Sequence, residues 1–276
     1  QLCVCYDRLG DHYKAWQYHL RTTSLKPKAD AVLKNQKYYS NNSKFIRAML
    51  RKASKGYCMY CGKKTIIEGE DISQIEHSVD KDGNINQINK ECFLTNCKYN
   101  FASACPKCNM TYKKKIKKVT LSQPEFVCPT ECAEMCSEYL RLREEYVTNN
   151  QIILQPQGYP LEGTKCNIIY DLITHCYMHS STLEDEKLIH LCECHIQRFH
   201  LNTDRISTSV LKICEAIVLM YDCGVKEISD MMELLLSGEP SNYVGVLFIE
   251  WIKSNFLEKN KTIDELVEFC KFQLLI

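Results

Sequence analysis

Two pairs of cysteines, Cys58-Met59-Tyr60-Cys61 and Cys105-Pro106-Lys107-Cys108, share the Cys-x-x-Cys spacing. Each pair offers two thiolates from one tight turn, and two such turns supply the four tetrahedral ligands of a structural Zn²⁺. Forty-three residues lie between Cys61 and Cys105, against roughly 15–20 in a simple zinc ribbon. The insertion must therefore hold more than a strand and a turn. It contains Gln74-Ile75-Glu76-His77, an acid and an imidazole at the end of an expected strand whose neighbour would be residues 65–67. It closes on Asn100-Phe101-Ala102-Ser103-Ala104, and the second cysteine pair runs straight into Asn109-Met110-Thr111-Tyr112-Lys113.

Phosphodiester hydrolysis is the chemistry that suits these residue types. It needs a water deprotonated near neutral pH, which is the range in which histidine titrates. It also needs a cation against the phosphate and the leaving oxygen, usually a hard ion held by oxygen or imidazole ligands. Alone, Glu-His is an ordinary surface dipeptide, and Asn100 and Asn109 are ordinary turn or capping residues. The flanking cysteine pairs are what lift them.

Cys-x-x-Cys, then Glu-His, then Asn shortly before Cys-x-x-Cys-Asn, then Lys, resembles an HNH nuclease of the ββα-metal class. More narrowly, Ile75-Glu76-His77 and the stretch 100–113 resemble PtuB-type HNH proteins of bacterial Septu antiphage systems and some retrons. The resemblance covers residues 47–118. It implies His77 as general base, with Asn100 holding the loop that orients it. It implies Glu76 and Asn109 at a catalytic Mg²⁺ or Mn²⁺, separate from a structural Zn²⁺ on Cys58, Cys61, Cys105 and Cys108. Lys113 would face the phosphate as a point charge. The implied setting is the bacterial cytoplasm beside an ABC-type ATPase of the PtuA kind. In a retron, a reverse transcriptase and its non-coding RNA and DNA would be further partners. One departure stands out: Phe-Arg-Pro-Lys usually follows the base, where this chain has Ser78-Val79-Asp80-Lys81. That removes an arginine contact to phosphate and leaves Lys81 as the only match.

The elements around these residues divide by charge. Residues 1–120 hold 23 Lys and Arg against 10 Asp and Glu, while residues 121–276 hold 12 against 24. The basic part suits a polyanion, with Lys63, Lys64, Lys81, Lys114, Lys115, Lys117 and Lys118 flanking the cysteine pairs as expected nucleic-acid contacts. The alternative for the run 113–118 is a merely solvated face. The expected fold class is mainly α with a small zinc-stapled ββα-metal unit, α+β overall. Its expected parts are a basic helical region 1–46, a nuclease domain 47–120 and an acidic α-helical domain 121–276.

Helices are expected at 44–55, 134–147, 167–178, 184–199, 206–221, 243–256 and 263–274, from apolar periodicity and from stops such as Gly56. Eighteen cysteines without a basic-apolar leader at the start point to a reducing compartment rather than a disulfide framework. No stretch of about 18 apolar residues occurs, which argues against a spanning helix. Cys128, Cys132 and Cys136 recur at helical spacing, as a second metal site or a buried stripe. His175 with His179, and His190 with Cys194 and His195, have ligand-like spacing but lack a matched second pair. Cys92, Cys97, Cys3 and Cys5 receive no role. Three rivals to a DNA-cutting enzyme remain: a non-catalytic zinc module that binds nucleic acid, an RNA- or tRNA-cleaving nuclease, and an interaction subunit whose site has decayed.

Overall fold

The computed structural model describes residues 38–80, 94, 98–113, 137–154, 160–161, 164–165 and 168–275. Within them the chain is mainly helical, with four small antiparallel two-stranded sheets. Lys81, Lys114, Lys115, Lys117 and Lys118 lie outside the described residues, as do Cys3, Cys5, Cys92, Cys97, Cys128, Cys132 and Cys136. No helix among the described residues is long and apolar enough to cross a membrane.

Helix α1, Tyr38–Ala53, buries Ile46, Met49, Leu50 and Ala53, the i, i+3, i+4, i+7 stripe of a helix with one apolar face. It ends where Lys55 and Gly56 take positive φ. A boundary at 46/47 therefore falls inside one helix. Strands β1, Ile66–Ile67, and β2, Glu70–Asp71, form a small hairpin. Strand β3, Gln74–His77, pairs not with residues 65–67, as expected, but with β4, Phe101–Ala104, in the register Gln74 to Ala104 and His77 to Phe101. The expected neighbour is spent on its own hairpin. A π-type helical segment, Cys108–Tyr112, follows β4 after the second cysteine turn.

Helix α2, Ser137–Asn150, leads to a hairpin β5–β6, Pro160–Leu161 and Thr164–Lys165, and then to a second hairpin. That second hairpin is β7, Ile168–Asp171, and β8, Cys176–His179, where helical periodicity predicts a helix over 167–178. Isoleucine and tyrosine favour the pleat, and the turn is closed by Asp171 Oδ2 accepting from Thr174 N at 2.8 Å. Tyr170 and Tyr177 then meet across the ladder at 5.2 Å between ring centroids.

The remaining helices are α3, Glu186–Phe199, capped by Asp185; α4, Asp204–Ser207; α5, Ser209–Asp222; α6, Ile228–Ser237; α7, Tyr243–Ile252; and α8, Ile263–Gln273, which opens with a Thr262/Glu265 capping box. Helix α7 continues into a π-type turn at Lys253–Leu257. The expected single helix over 206–221 is interrupted at Thr208, and α6 is additional to the expected set. One hydrophobic cluster runs from Ile46 through the cysteine turns and Tyr139 to Cys270. Buried residues from both sides of the expected 120/121 boundary therefore pack in one cluster.

Candidate metal centre and the strand pair beside it

Backbone hydrogen bonds make the cysteine turns. Gly62 N donates to Cys58 O at 2.9 Å, Cys58 N to Lys63 O at 2.8 Å, and Asn109 N to Cys105 O at 3.1 Å. Met59 N reaches Ser103 O at 2.9 Å, which sews the first turn to β4 beside the second. Gly62 sits at φ +67, and a Cβ there would come within 2.8 Å of Asn242 Oδ1, so the first turn needs glycine twice over. All four cysteines are buried, and their sulfurs lie within 4.8 Å of one another. The Cys61 to Cys105 separation is 3.9 Å, close to the roughly 3.8 Å that tetrahedral Zn–S bonds of about 2.3 Å require. The donor set fits one Zn²⁺ or another thiophilic ion of that size. Hydrogen bonds from Cys108, Cys58 and Cys61 hold the Cys105 thiol far below its usual range, while the contact with Cys105 pushes Cys61 and Cys108 up. Among the described residues no other group of three or more His, Cys, Asp or Glu is gathered in this way.

Alternation along β3 sends Gln74 and Glu76 to one face and Ile75 and His77 to the other. The helical segment covers the first face: Asn109 Nδ2 donates to Gln74 Oε1 at 2.9 Å, and Lys113 Nζ pairs with Glu76 Oε1. Glu76 is 2 % exposed and Lys113 8 %. Tyr60 hydroxyl donates to Glu76 Oε2 at 2.7 Å, and burial pushes its phenol well above the usual tyrosine range, which keeps it a donor. Lys113 Nζ also donates to the His77 carbonyl. Burial pulls the Lys113 ammonium well below the usual lysine range, while the carboxylate and carbonyl at Nζ favour its protonated form.

These contacts correct two expectations. Lys113 does not face a phosphate in solution; it is turned inward. Glu76 is not open to a divalent cation, because its two oxygens already accept from an ammonium and a phenol. A hard dication asks for about six oxygen ligands at roughly 2.0–2.1 Å, and the atoms around this carboxylate are donors. The residues present do not fit Mg²⁺ or Mn²⁺ there.

His77 ends β3 with its ring edge-on to Phe101, 5.3 Å between centroids, and 8 % of the residue exposed. Asn100, fully buried, grips the segment that follows. Its Oδ1 accepts from Val79 N at 2.7 Å, and its Nδ2 donates to Val79 O and Leu94 O, both at 2.9 Å. Tyr139 of α2 adds a hydroxyl donated to Asn100 Oδ1 at 3.1 Å. Asn100 thus ties the segment after His77 to residue 94. Asn109 is half-buried on the Glu76 face, away from the face His77 takes. Lys64 is ion-paired with Glu239, and its N donates to Ser241 O at 2.9 Å, while Lys63 forms a backbone bridge with Asn242. Both lysines sit at the junction with the turn 239–243 rather than at the strand pair, and Lys64 shares its charge with the exposed Glu239 there.

Among the described residues the other histidine pairs gather no metal site. His175 and His179 lie on the β7–β8 hairpin, with partners Gln273 O and Ser180 O. His190 and Cys194 touch at 3.5 Å on an exposed helix face.

Three residues take supporting roles that spacing does not reveal. Tyr139 looked like ordinary helix core. Asn242, N-cap of α7, donates to Cys61 O at 2.9 Å and accepts from Tyr177 hydroxyl at 3.3 Å; the only signal for it was a helix start after Pro240. His195 is buried with both nitrogens engaged: Nδ1 accepts from Ile153 N at 3.1 Å and Nε2 faces Tyr60 O at 3.5 Å. Burial lowers its pKa to about 3, against the Tyr60 carbonyl, which favours the charged ring. The unfolded chain takes up this proton near pH 6.5, so the stabilisation is whole above that pH and drains away between about 6.5 and 3. Protonating the ring inside the fold costs on the order of 5 kcal/mol. Urea unfolding across this window should show a stability slope in the wild type that His195→Gln, which cannot titrate, largely loses. An unchanged slope in the variant would contradict the assignment.

Comparison with protein-family models, curated proteins and solved structures finds no match to this chain.

Proposed function

We propose that the chain is a zinc-stapled nuclease that hydrolyses nucleic-acid phosphodiester bonds at His77, with the four cysteines fixing the scaffold. The observation that carries this reading is the grip of Asn100 on both backbone groups of Val79, two residues beyond His77. A buried amide spent on a loop directly after an imidazole supports a histidine whose placement matters. The succession β3, β4 and helical segment, closed by two cysteine turns, is what a ββα-metal unit would need. His77 would take the proton of the attacking water, and the Val79 loop would hold its angle to the scissile phosphate. The likeness of Ile75-Glu76-His77 and residues 100–113 to PtuB-type proteins supports a setting in bacterial antiphage defence beside an ABC-type ATPase, with reverse transcriptase and its nucleic acids added in a retron.

The test is cleavage of duplex DNA, single-stranded DNA and RNA offered in parallel, with and without Mg²⁺ or Mn²⁺, by the zinc-loaded chain alone and with an ATPase partner. His77→Ala is expected to lower the rate by about 10²-fold or more, measured on protein that circular dichroism shows to be folded. Equal cutting by the variant would remove His77 from the mechanism. A second reading, a zinc module that binds nucleic acid without cutting, draws on the burial of Glu76 in its ion pair. It predicts salt-sensitive binding with no cleavage of any of the three substrates.

A further inference from the structure

We infer that the ammonium of Lys113 fills the seat in which Glu76 would otherwise hold a divalent cation, so that this carboxylate binds neither Mg²⁺ nor Mn²⁺. Lys113 is thereby a positioning residue for the strand end that carries His77. The role given to His77 rests on the hydrolytic reading above; the filled seat does not depend on it.

Four observations converge on the seat. Glu76 presents one oxygen to Lys113 Nζ and the other to the Tyr60 hydroxyl, 2.7 Å away. Both partners are donors, and a metal needs acceptors. The same Nζ accepts nothing and donates a second bond to the main-chain carbonyl of His77, so one cation bridges a side-chain carboxylate and a backbone oxygen of consecutive residues. A bound dication would make that kind of bridge, with a larger charge and more ligands. The ammonium also lies 5.7 Å above the Tyr146 ring, whose face favours positive charge. Finally, Glu76 is 2 % exposed, and no solvent-facing oxygen is left on it to recruit an ion with its waters. A dication entering beside the ammonium would meet like charge in a site already shut from water, where that repulsion is least screened.

The geometry also says what the monocation does. Lys113 stands four residues beyond Asn109 on the helical segment, and Asn109 holds Gln74 as Lys113 holds Glu76. The segment therefore clamps β3 at two alternate side chains and at the carbonyl of its last residue. What a metal would do by coordination, fixing the end of β3 against the helix, the chain does with one lysine.

The test reads metal binding, not cleavage. Mn²⁺ is titrated into the intact zinc-loaded chain, and paramagnetic broadening is followed at the backbone amides of Tyr60, Glu76 and Lys113. In the wild type these signals should stay sharp at Mn²⁺ concentrations that broaden exposed acidic surface residues. Lys113→Ala should open the seat and tighten Mn²⁺ binding there by about tenfold or more, and Glu76→Gln added to it should abolish the gain. Strong broadening at Glu76 in the wild type, lost in the single Glu76→Gln variant, would overturn the inference. If Lys113→Ala does not fold, the wild-type spectrum alone still decides. Because cleavage is not the readout, failure here leaves the hydrolytic reading standing, and a chain that cuts nothing leaves this one standing.

Discussion

Changing Cys105 to serine is expected to unfold much of the chain, not only its metal centre. Structural zinc on cysteine turns contributes free energy on the order of 10 kcal/mol, as large as the whole stability of a typical domain at about 5–15 kcal/mol. The cysteine turns are also where the two charge-distinct parts of the chain meet. Tyr60 stacks on Phe199 of α3 at 4.9 Å, Tyr57 meets Tyr243 at 5.5 Å, and Tyr243 N donates to Gly62 O at 2.8 Å. Asn242 is at once the cap of α7 and a donor to the Cys61 carbonyl. Loosening the first turn therefore withdraws a cap, two ring contacts and a buried imidazole's partner together. Thermal unfolding followed by circular dichroism should show the Cys105→Ser midpoint lowered by more than about 15 °C, or no cooperative transition. A variant melting within a few degrees of wild type would mean that the cysteines pack without an ion.

Lys113→Met should cost about 3–5 kcal/mol, the usual consequence of leaving one member of a buried ion pair without its partner. Glu76 would keep only the Tyr60 hydroxyl, in a site 2 % exposed. Most of the loss should return when Glu76→Gln is added, since the amide is neutral and still accepts from Tyr60. Urea titrations of the two single variants and the double close the cycle. A double variant as unstable as the sum of the singles would show that the pair has no coupling and that Lys113 is held by packing alone.

What could be read from the amino-acid order was the periodic and the local. Helices α3, α5, α7 and α8 follow from apolar spacing. The cysteine turns follow from spacing alone, and their convergence was foreseeable because two such pairs have one chemical use in common. The hairpin β7–β8 was misread because Ile168, Tyr170, Tyr177 and Met178 suit either period over so short a run. The partner of β3 was misassigned because nothing local favours Phe101 over Ile66 across an insertion that long. The site's electrostatics were hardest to foresee. Glu76 and His77 are neighbours in sequence, and only strand alternation sends them apart. Lys113 reads as a phosphate contact at the head of a basic run, and its burial is visible only once the helical segment is folded onto β3.

The Cys58, Cys61, Cys105 and Cys108 cluster bears on every part of this account, and X-ray absorption at the zinc edge examines it most directly. The purified chain should carry one zinc with four sulfur neighbours at about 2.3 Å, and that shell should disappear in Cys58→Ser/Cys105→Ser. A chain that folds without zinc, or a zinc shell containing nitrogen or oxygen, would contradict it.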